Sequence, residues 1–271
     1  MPYLRVNEVD LYYECHGSGD PVLLIPGLGS DATTWSQFVP EFNNYQIVIV
    51  ENRGSGRSAK PEGPYSTEMM AEDAVALMDH LKISQAHIVG KSMGGMIAQW
   101  IAARWPSRVR SLILASTVMY HDRYGNELLD LARTVAQKAG LFAVYRLTFM
   151  LSYSREYCMN NRSRLEQMEA LIAKLDGNEL LRGYFEQSFA CQKHDSRAIA
   201  SKIQSPTLVI VGQDDLITPA QESKNLAAVI PNAQLHIFSK GGHGFWREFP
   251  GEVNSVVRQF LNHGNREFLK M

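Results

Sequence analysis

Ser92 stands between Gly90 and Gly94 in "HIVGKSMGGMIAQW" (residues 87–100), a G-x-S-x-G that follows an apolar β-rich run and opens a helix-forming one. In that setting the pentapeptide reads as a nucleophile elbow. The turn from strand to helix is so tight that the positions two residues either side must lack bulk, and the hydroxyl is lifted above the sheet. The helix behind it would aim unpaired N–H groups and a partial positive charge at an oxyanion forming there. Such a hydroxyl needs a base, and the eight histidines can be sorted by position. His80 falls in a helical pattern, His87 and His236 in strand-like runs, His16 before a turn, His121 and His194 in or beside a helical stretch, and His263 in the tail. His243 differs: it lies in "GGHGF", a glycine-flanked loop just past the last strand-like run, from which a ring can reach across a sheet edge. The base in turn needs an acid to fix its tautomer and stabilise the imidazolium. "VIVGQDDLITP" offers Asp214 and Asp215 directly after another strand, before a helix started by Pro219. Both aspartates could also serve as plain turn or capping carboxylates.

The elements that must position these groups are legible as an alternation. Residues 4–16 alternate, are rich in Tyr and Val, and break at "GSGDP", which reads as a hairpin. "VLLI" (22–25), "IVIV" (47–50), "HIVG" (87–90), "LILAS" (112–116), "TLVIV" (207–211) and "QLHIF" (234–238) are short runs, mostly apolar throughout, as expected of strands covered on both faces. Between them lie helical patterns. In 67–82, Met70, Ala74, Met78 and Leu81 share one face while Glu68, Glu72, Asp73 and Asp79 take others, with Ser66 as N-cap. Alternation of this kind implies a mostly parallel sheet wrapped by helices. It stops between Met119 and Ser201, where the pattern is helical and dense in Tyr, Phe, Met and Leu. We therefore divide the chain into an α/β core, residues 1–118 and 202–271, and an inserted helical cap, 119–201. The tail after Asn262 reads as frayed.

Composition excludes several classes. Charges balance to a net −1, so no field gathers phosphate backbones or anionic lipid, and neither nucleic acid nor membrane is an expected partner. Cys15, Cys158 and Cys191 are scattered without CxxC spacing, which argues against a disulfide framework or a thiolate metal site. The first twenty residues hold Arg5, Glu8, Asp10 and Glu14 and so no signal-peptide core, and the apolar runs fall well short of the ~20 residues of a membrane span. A soluble cytoplasmic protein is expected, needing no cofactor and no metal.

One rival reading competes for the glycines. "VLLIPGLGSDA" places Gly27, Gly29 and Ala32 in a GxGxxA pattern after a strand, with Glu51 at the end of the next, the spacing of a dinucleotide fingerprint in an oxidoreductase. Against it, Pro26 sits at the strand exit and a hairpin precedes the unit.

With these motifs in place, the sequence resembles the α/β-hydrolase family over almost its whole length. "LLIPGLGSDATTW" is similar to that family's oxyanion loop, with Pro26 where His is more common. "ENRGSGRSAKP" resembles its Asp-x-Arg-Gly-x-Gly-x-Ser stretch, with Glu51 in place of the Asp. "VGQDDLITP" matches its acid loop and selects Asp215 over Asp214; "GGHGFWREFP" matches its histidine loop. The order Ser92, Asp215, His243 is the order that such a sheet produces. The resemblance implies an eight-stranded, mostly parallel sheet flanked by helices with an inserted cap, and it accounts for Gly27, Gly29 and Glu51 without a nucleotide. Within the family, the cap and "HDSRAIASKIQSPTLVIVGQDD" are most similar to 3-oxoadipate enol-lactonases and related small ester, lactone and aminoacrylate hydrolases.

The expected chemistry is acyl transfer through Ser92, His243 and Asp215, with the backbone N–H groups of Leu28 and Met93 as oxyanion hole and a small ester or lactone as substrate. C–C bond hydrolysis, aminoacrylate-type hydrolysis or peracid formation on the same triad, and a receptor-like role with slow turnover, remain alternatives. Trp35, Met119, Tyr120 and Phe245 are candidate pocket residues, each equally suited to core packing. Arg53 suits a buried ion pair better than a substrate anchor, and Lys91 is expected to point away from the pocket.

Overall fold

The computed structural model describes residues 2–174 and 177–263. Most of the expected tail, residues 264–271, lies outside the described residues. In chain order the strands are β1 (Tyr3–Val6), β2 (Val9–His16), β3 (Asp20–Ile25), β4 (Tyr45–Val50), β5 (Ala86–Lys91), β6 (Val109–Ala115), β7 (Thr207–Gly212) and β8 (Ala233–Phe238). The core helices are α1 (Thr67–His80) and α2 (Met93–Arg104). Six more follow without a strand between them: α3 (Arg123–Ala139), α4 (Leu141–Ser152), α5 (Arg155–Asn160), α6 (Arg162–Ile172), α7 (Gly177–Gln192) and α8 (Arg197–Ala200). After β7 come α9 (Ala220–Val229), α10 (Phe245–Glu248) and α11 (Pro250–His263).

The strands form one eight-stranded sheet in the order β1-β2-β4-β3-β5-β6-β7-β8. β1 and β2 pair as an antiparallel hairpin, and β2 pairs antiparallel with β4. The remaining neighbours are parallel. The hairpin turn uses Asn7 and Glu8, both at positive φ (44° and 63°), the conformation that matches a two-residue connection to the strand twist.

Apolar residues on both strand faces give two cores. Leu23, Ile88, Leu112 and Val209 point to one side, against Leu77 and Met78 of α1 and Met96 and Ile97 of α2. Leu24, Val89, Ile113 and Ile210, one residue out of phase, point to the other, against Trp246, Val257 and Phe260. Each face is dry because each is covered, as the near-continuous apolar strands require. Ser66 caps α1 as the sequence indicates, its hydroxyl accepting from Met69 N–H at 3.0 Å.

One helical assignment needs correction. Asp73, expected on the polar side of α1, is buried, and its carboxylate takes two hydrogen bonds from the Arg53 guanidinium at 2.6 and 2.8 Å, plus one from Asn7 Nδ2 at 2.9 Å. The 3.6-residue pattern registers polarity but not a partner delivered from another element. Arg53 is thereby committed to structure.

Burial also makes the fold acid-sensitive. Burial holds the His87 ring down to about 4, and burial together with the nearby His121 holds His194 down to about 3, both against an ordinary 6.5. Between those values and 6.5 the unfolded chain binds protons that the folded chain refuses, so stability rises with pH across that window and levels off above it. Each imidazole is expected to cost about 2 kcal/mol by pH 5. Urea midpoints at pH 7 and pH 5 measure this, and His87→Asn should narrow the difference by about one imidazole's share while the His194 share remains.

Candidate active site

The elbow is present in full. Ser92 adopts φ 56° and ψ −122°, a sparsely populated conformation costing on the order of 1–3 kcal/mol, and α2 begins at the next residue. The two flanking glycines have separate steric reasons. A Cβ on Gly90 would lie 2.2 Å from Gly94 O, and one on Gly94 would lie 2.0 Å from Ile25 O. The first contact lets β5 turn directly into α2, while the second seats α2 against the exit of β3. The turn is then tied to β6, because Ser92 N–H donates to Ala115 O at 2.9 Å and Thr117 Oγ1 donates to Ser92 O at 2.8 Å.

β3 delivers a loop alongside the elbow. Gly27 lies so near that a Cβ there would meet Ser92 Cβ at 3.1 Å and Oγ at 3.6 Å. Gly27 C=O accepts from Ser30 N–H at 3.2 Å, closing a turn. The N–H on the other side of that same peptide belongs to Leu28. Among the described residues neither Leu28 N–H nor Met93 N–H donates a hydrogen bond, and both belong to segments in contact with Ser92.

Asp215 and His243 meet from the ends of β7 and β8. Asp215 is buried, and its Oδ1 accepts from the N–H groups of Ile217 (2.9 Å) and Thr218 (2.8 Å). Oδ2 accepts from Thr218 Oγ1 and from His243 Nδ1, both at 2.9 Å. Burial by itself would raise the Asp215 pKa. The adjacent His243 ring, its hydrogen bond, the Thr218 N–H and the nearby Ser116 hydroxyl outweigh that and hold the carboxyl below its ordinary value. Ser116 Oγ is buried with no other hydrogen-bond partner, so its hydroxyl dipole is free to turn toward the carboxylate. A carboxylate with acceptor sites only assigns the proton between the two groups to His243 Nδ1, which leaves Nε2 with a free lone pair.

Parallel neighbours lie about 4.8 Å apart, so a histidine following β8 must cross two strands to approach Ser92. The loop makes that crossing by folding back. Asp214 N–H donates to Gly241 O at 3.0 Å, and Gly244 N–H donates to Ser152 O of α4 at 2.7 Å. His243 thus comes into electrostatic contact with His121, beyond the end of β6. No hydrogen bond joins Ser92 Oγ to His243 among the described residues; such bonds commonly tighten only when substrate arrives.

The other expected residues separate. Trp35 and Phe245, 2% and 0% exposed, belong to the core beneath the site, where Trp35 packs edge-on to Trp246 at 5.4 Å and Phe245 against Phe238 at 5.2 Å. As pocket residues they are therefore corrected: both sit on the sheet face that α10 and α11 cover. Met119 is buried in the opposite core. Tyr120 lines a void of about 30 Å³ with His121, Ile217 and Glu222, its ring covered by Arg197 at 4.1 Å. Lys91 has the strand parity of Val89 and so leaves on the α11 side; burial lowers its pKa while the Asp215 charge opposes that.

Glu51 has no capacity left for a ribose. Its carboxylate accepts from Ala32 N–H at 3.1 Å and Arg57 N–H at 2.5 Å and pairs with the Arg57 guanidinium. Among the described residues, no group of three or more His, Cys, Asp or Glu side chains is placed to hold a metal, and no helix is long and apolar enough to cross a membrane.

Sequence reasoning missed Thr218, which completes the carboxylate's shell, although its place three residues after Asp215 in a turn was a usable signal. It also missed Gln187 and Tyr145, whose contacts are long-range. Gln187 is buried beside Ser188 between the polar Glu186 and the exposed Phe189, so the local sequence carries no signal of its role.

Residues 20–246 match the family model described as alpha/beta hydrolase fold. The chain is 30% identical over 262 residues to a putative carbamate hydrolase RutD of Azorhizobium caulinodans, covering 96% of this chain and 98% of that protein. It is 27% identical over 266 residues to 3-oxoadipate enol-lactonase 2 of Acinetobacter baylyi, covering 97% of each. Among solved structures, the enol-lactonase from Burkholderia xenovorans LB400 superposes with a TM-score of 0.87 at 27% identity, covering 96% of this chain and all of that one.

Proposed function

The chain belongs to the alpha/beta hydrolase fold family, and from that premise we propose that it is a serine hydrolase of small carboxylic esters or lactones, working through an acyl-enzyme on Ser92. The observation that carries this reading is the buried Asp215–His243 couple, with its protons arranged to leave His243 Nε2 basic, at the same strand edge as a strained Ser92.

Ser92 Oγ attacks the substrate carbonyl carbon while His243 Nε2 takes its proton. The carbonyl oxygen becomes an oxyanion, accepted by the unpartnered N–H groups of Leu28 and Met93. His243 then gives the proton to the leaving alkoxide, which in a lactone stays tethered to the acyl group. Water attacks the acyl-enzyme, His243 takes its proton, and the second collapse returns that proton to Ser92 Oγ as the acid leaves. Asp215 holds the ring and stabilises the imidazolium in both halves. The apolar run "LFAVYRLTFMLS" of α4, mostly half-buried, suits a small substrate with few polar anchors.

A second reading, carbamate hydrolysis on the same residues, is favoured by the 30% identity to a putative carbamate hydrolase. A panel of short p-nitrophenyl esters, five- and six-membered lactones, an enol-lactone, N-unsubstituted carbamates and a vinylogous diketone separates the readings by kcat/KM. The ester or lactone reading predicts the highest value in those classes. Highest turnover of the carbamate supports the second reading, and no turnover across the panel contradicts both.

A further inference from the structure

The loop carrying Leu28 is held from the inserted helices, and this hold has a catalytic consequence. Gln187 of α7 is completely buried, and its hydrogen bonds go to backbone and not to Ser92 or His243. Its Oε1 accepts from Gly29 N–H at 2.8 Å and its Nε2 donates to Arg53 O at 2.7 Å. Tyr145 of α4 donates its hydroxyl to Gly29 O at 2.7 Å. Burial pushes that phenol up to about 12, so it remains a donor at any working pH. The Tyr184 ring closes over the same residue, 3.3 Å from where a Cβ on Gly29 would be, and Gly29 itself sits at φ +62°, where a side chain is strained.

Consecutive peptide planes explain what this clamp does. Asn52 Nδ2 donates to Pro26 O at 3.0 Å and fixes the plane before Gly27. Gln187 fixes the plane between Leu28 and Gly29, and Tyr145 fixes the plane after Gly29. The plane between them carries Leu28 N–H, and among the described residues its own carbonyl is held by Ser30 N–H alone, at 3.2 Å. With both neighbours pinned, the Cα atoms at the two ends of that plane are held in place, and its rotation about the line joining them is restrained by the Ser30 N–H bond. Gln187 is anchored in turn: a Cβ on Gly183 would lie 2.1 Å from Gly54 O, so α7 lies backbone against backbone on the loop whose Arg53 is locked to Asp73.

We propose that Gln187 and Tyr145 are positioning residues for the oxyanion hole: through Gly29 the inserted helices aim Leu28 N–H at the developing oxyanion. The cap is thereby part of the catalytic apparatus as well as a cover for the site. The proposal rests on the serine-hydrolase reading above.

The test uses full-length protein, p-nitrophenyl acetate as substrate and phenylboronic acid as tetrahedral analogue. Gln187→Leu removes both hydrogen bonds at similar volume. Losing an oxyanion donor costs about 10² to 10³ in kcat, and misaiming one costs less, so a fall of about ten- to a hundredfold is expected. KM should stay within about threefold, and boronate affinity should fall in step with kcat. Tyr145→Phe deletes one hydroxyl and leaves the ring packing, so it tests the hold on the other side of Gly29 with little disturbance to the fold; about three- to tenfold in both quantities is expected. A purely structural role would lower the melting temperature or raise KM and leave boronate affinity per folded molecule unchanged. That result, or an unchanged kcat in Tyr145→Phe, overturns the proposal. Ser92→Ala assayed beside them distinguishes the two levels. Activity surviving Ser92→Ala defeats the serine reading itself. Activity abolished there but intact in Gln187→Leu and Tyr145→Phe defeats only the clamp.

Discussion

Ser92→Ala is expected to lower kcat on p-nitrophenyl acetate by on the order of 10⁶, leaving only the residual catalysis that binding and oxyanion contacts supply. The size follows from the absence of a substitute. The neighbouring side chain, Lys91, leaves on the opposite side of the sheet, and the oxygen that a water would have to replace is fixed by a strained φ of 56°. The strain is imposed from outside Ser92, by the close approach of Gly90 to Gly94 and of Gly94 to Ile25, so alanine should adopt the same backbone. Folding is therefore preserved, and an unchanged melting temperature beside the lost turnover separates chemistry from stability.

His243→Ala should cost as much, and Ser92→Ala combined with it should cost nothing further. Two groups that act in one proton transfer are lost together, so their effects do not multiply. Asp215→Asn should cost less than either, a loss of about 10⁴ in kcat. Its amide can offer Nδ2–H to His243 Nδ1, which moves the ring proton to Nε2 and turns the base away from its task. The Ile217 and Thr218 N–H donors, which bond the other oxygen, keep the side chain in place, and the Thr218 hydroxyl can turn to accept from Nδ2–H, so geometry survives while the tautomer is lost. Steady-state kinetics of the three single variants and the double variant measure all of this; costs that multiply in the double variant contradict a shared role.

Residues placed by their own strand exit were legible in the sequence. Ser92, Asp215 and His243 each follow an apolar β-rich run within a few residues, and a parallel sheet places all such exits on one edge. The strand positions were legible for the same reason, since burial on both faces writes continuous apolar runs. Asp73 was misassigned because helical periodicity registers its polarity and cannot register Arg53 arriving from another loop. Trp35 and Phe245 follow functional loops closely in the chain, but the chain turns inward after each, and nearness in sequence stood in wrongly for nearness to the pocket. Gln187 was invisible because its partners, Gly29 and Arg53, lie more than a hundred residues away.

The central claim is that one hydroxyl, Ser92 Oγ, is made nucleophilic by His243. Intact-mass spectrometry after treatment with a fluorophosphonate, followed by peptide mapping, tests it most directly. A single adduct on Ser92, lost in Ser92→Ala and slowed by orders of magnitude in His243→Ala, is the predicted result. Full hydrolytic activity with no adduct, or an adduct on another residue that accompanies inactivation, would contradict the account.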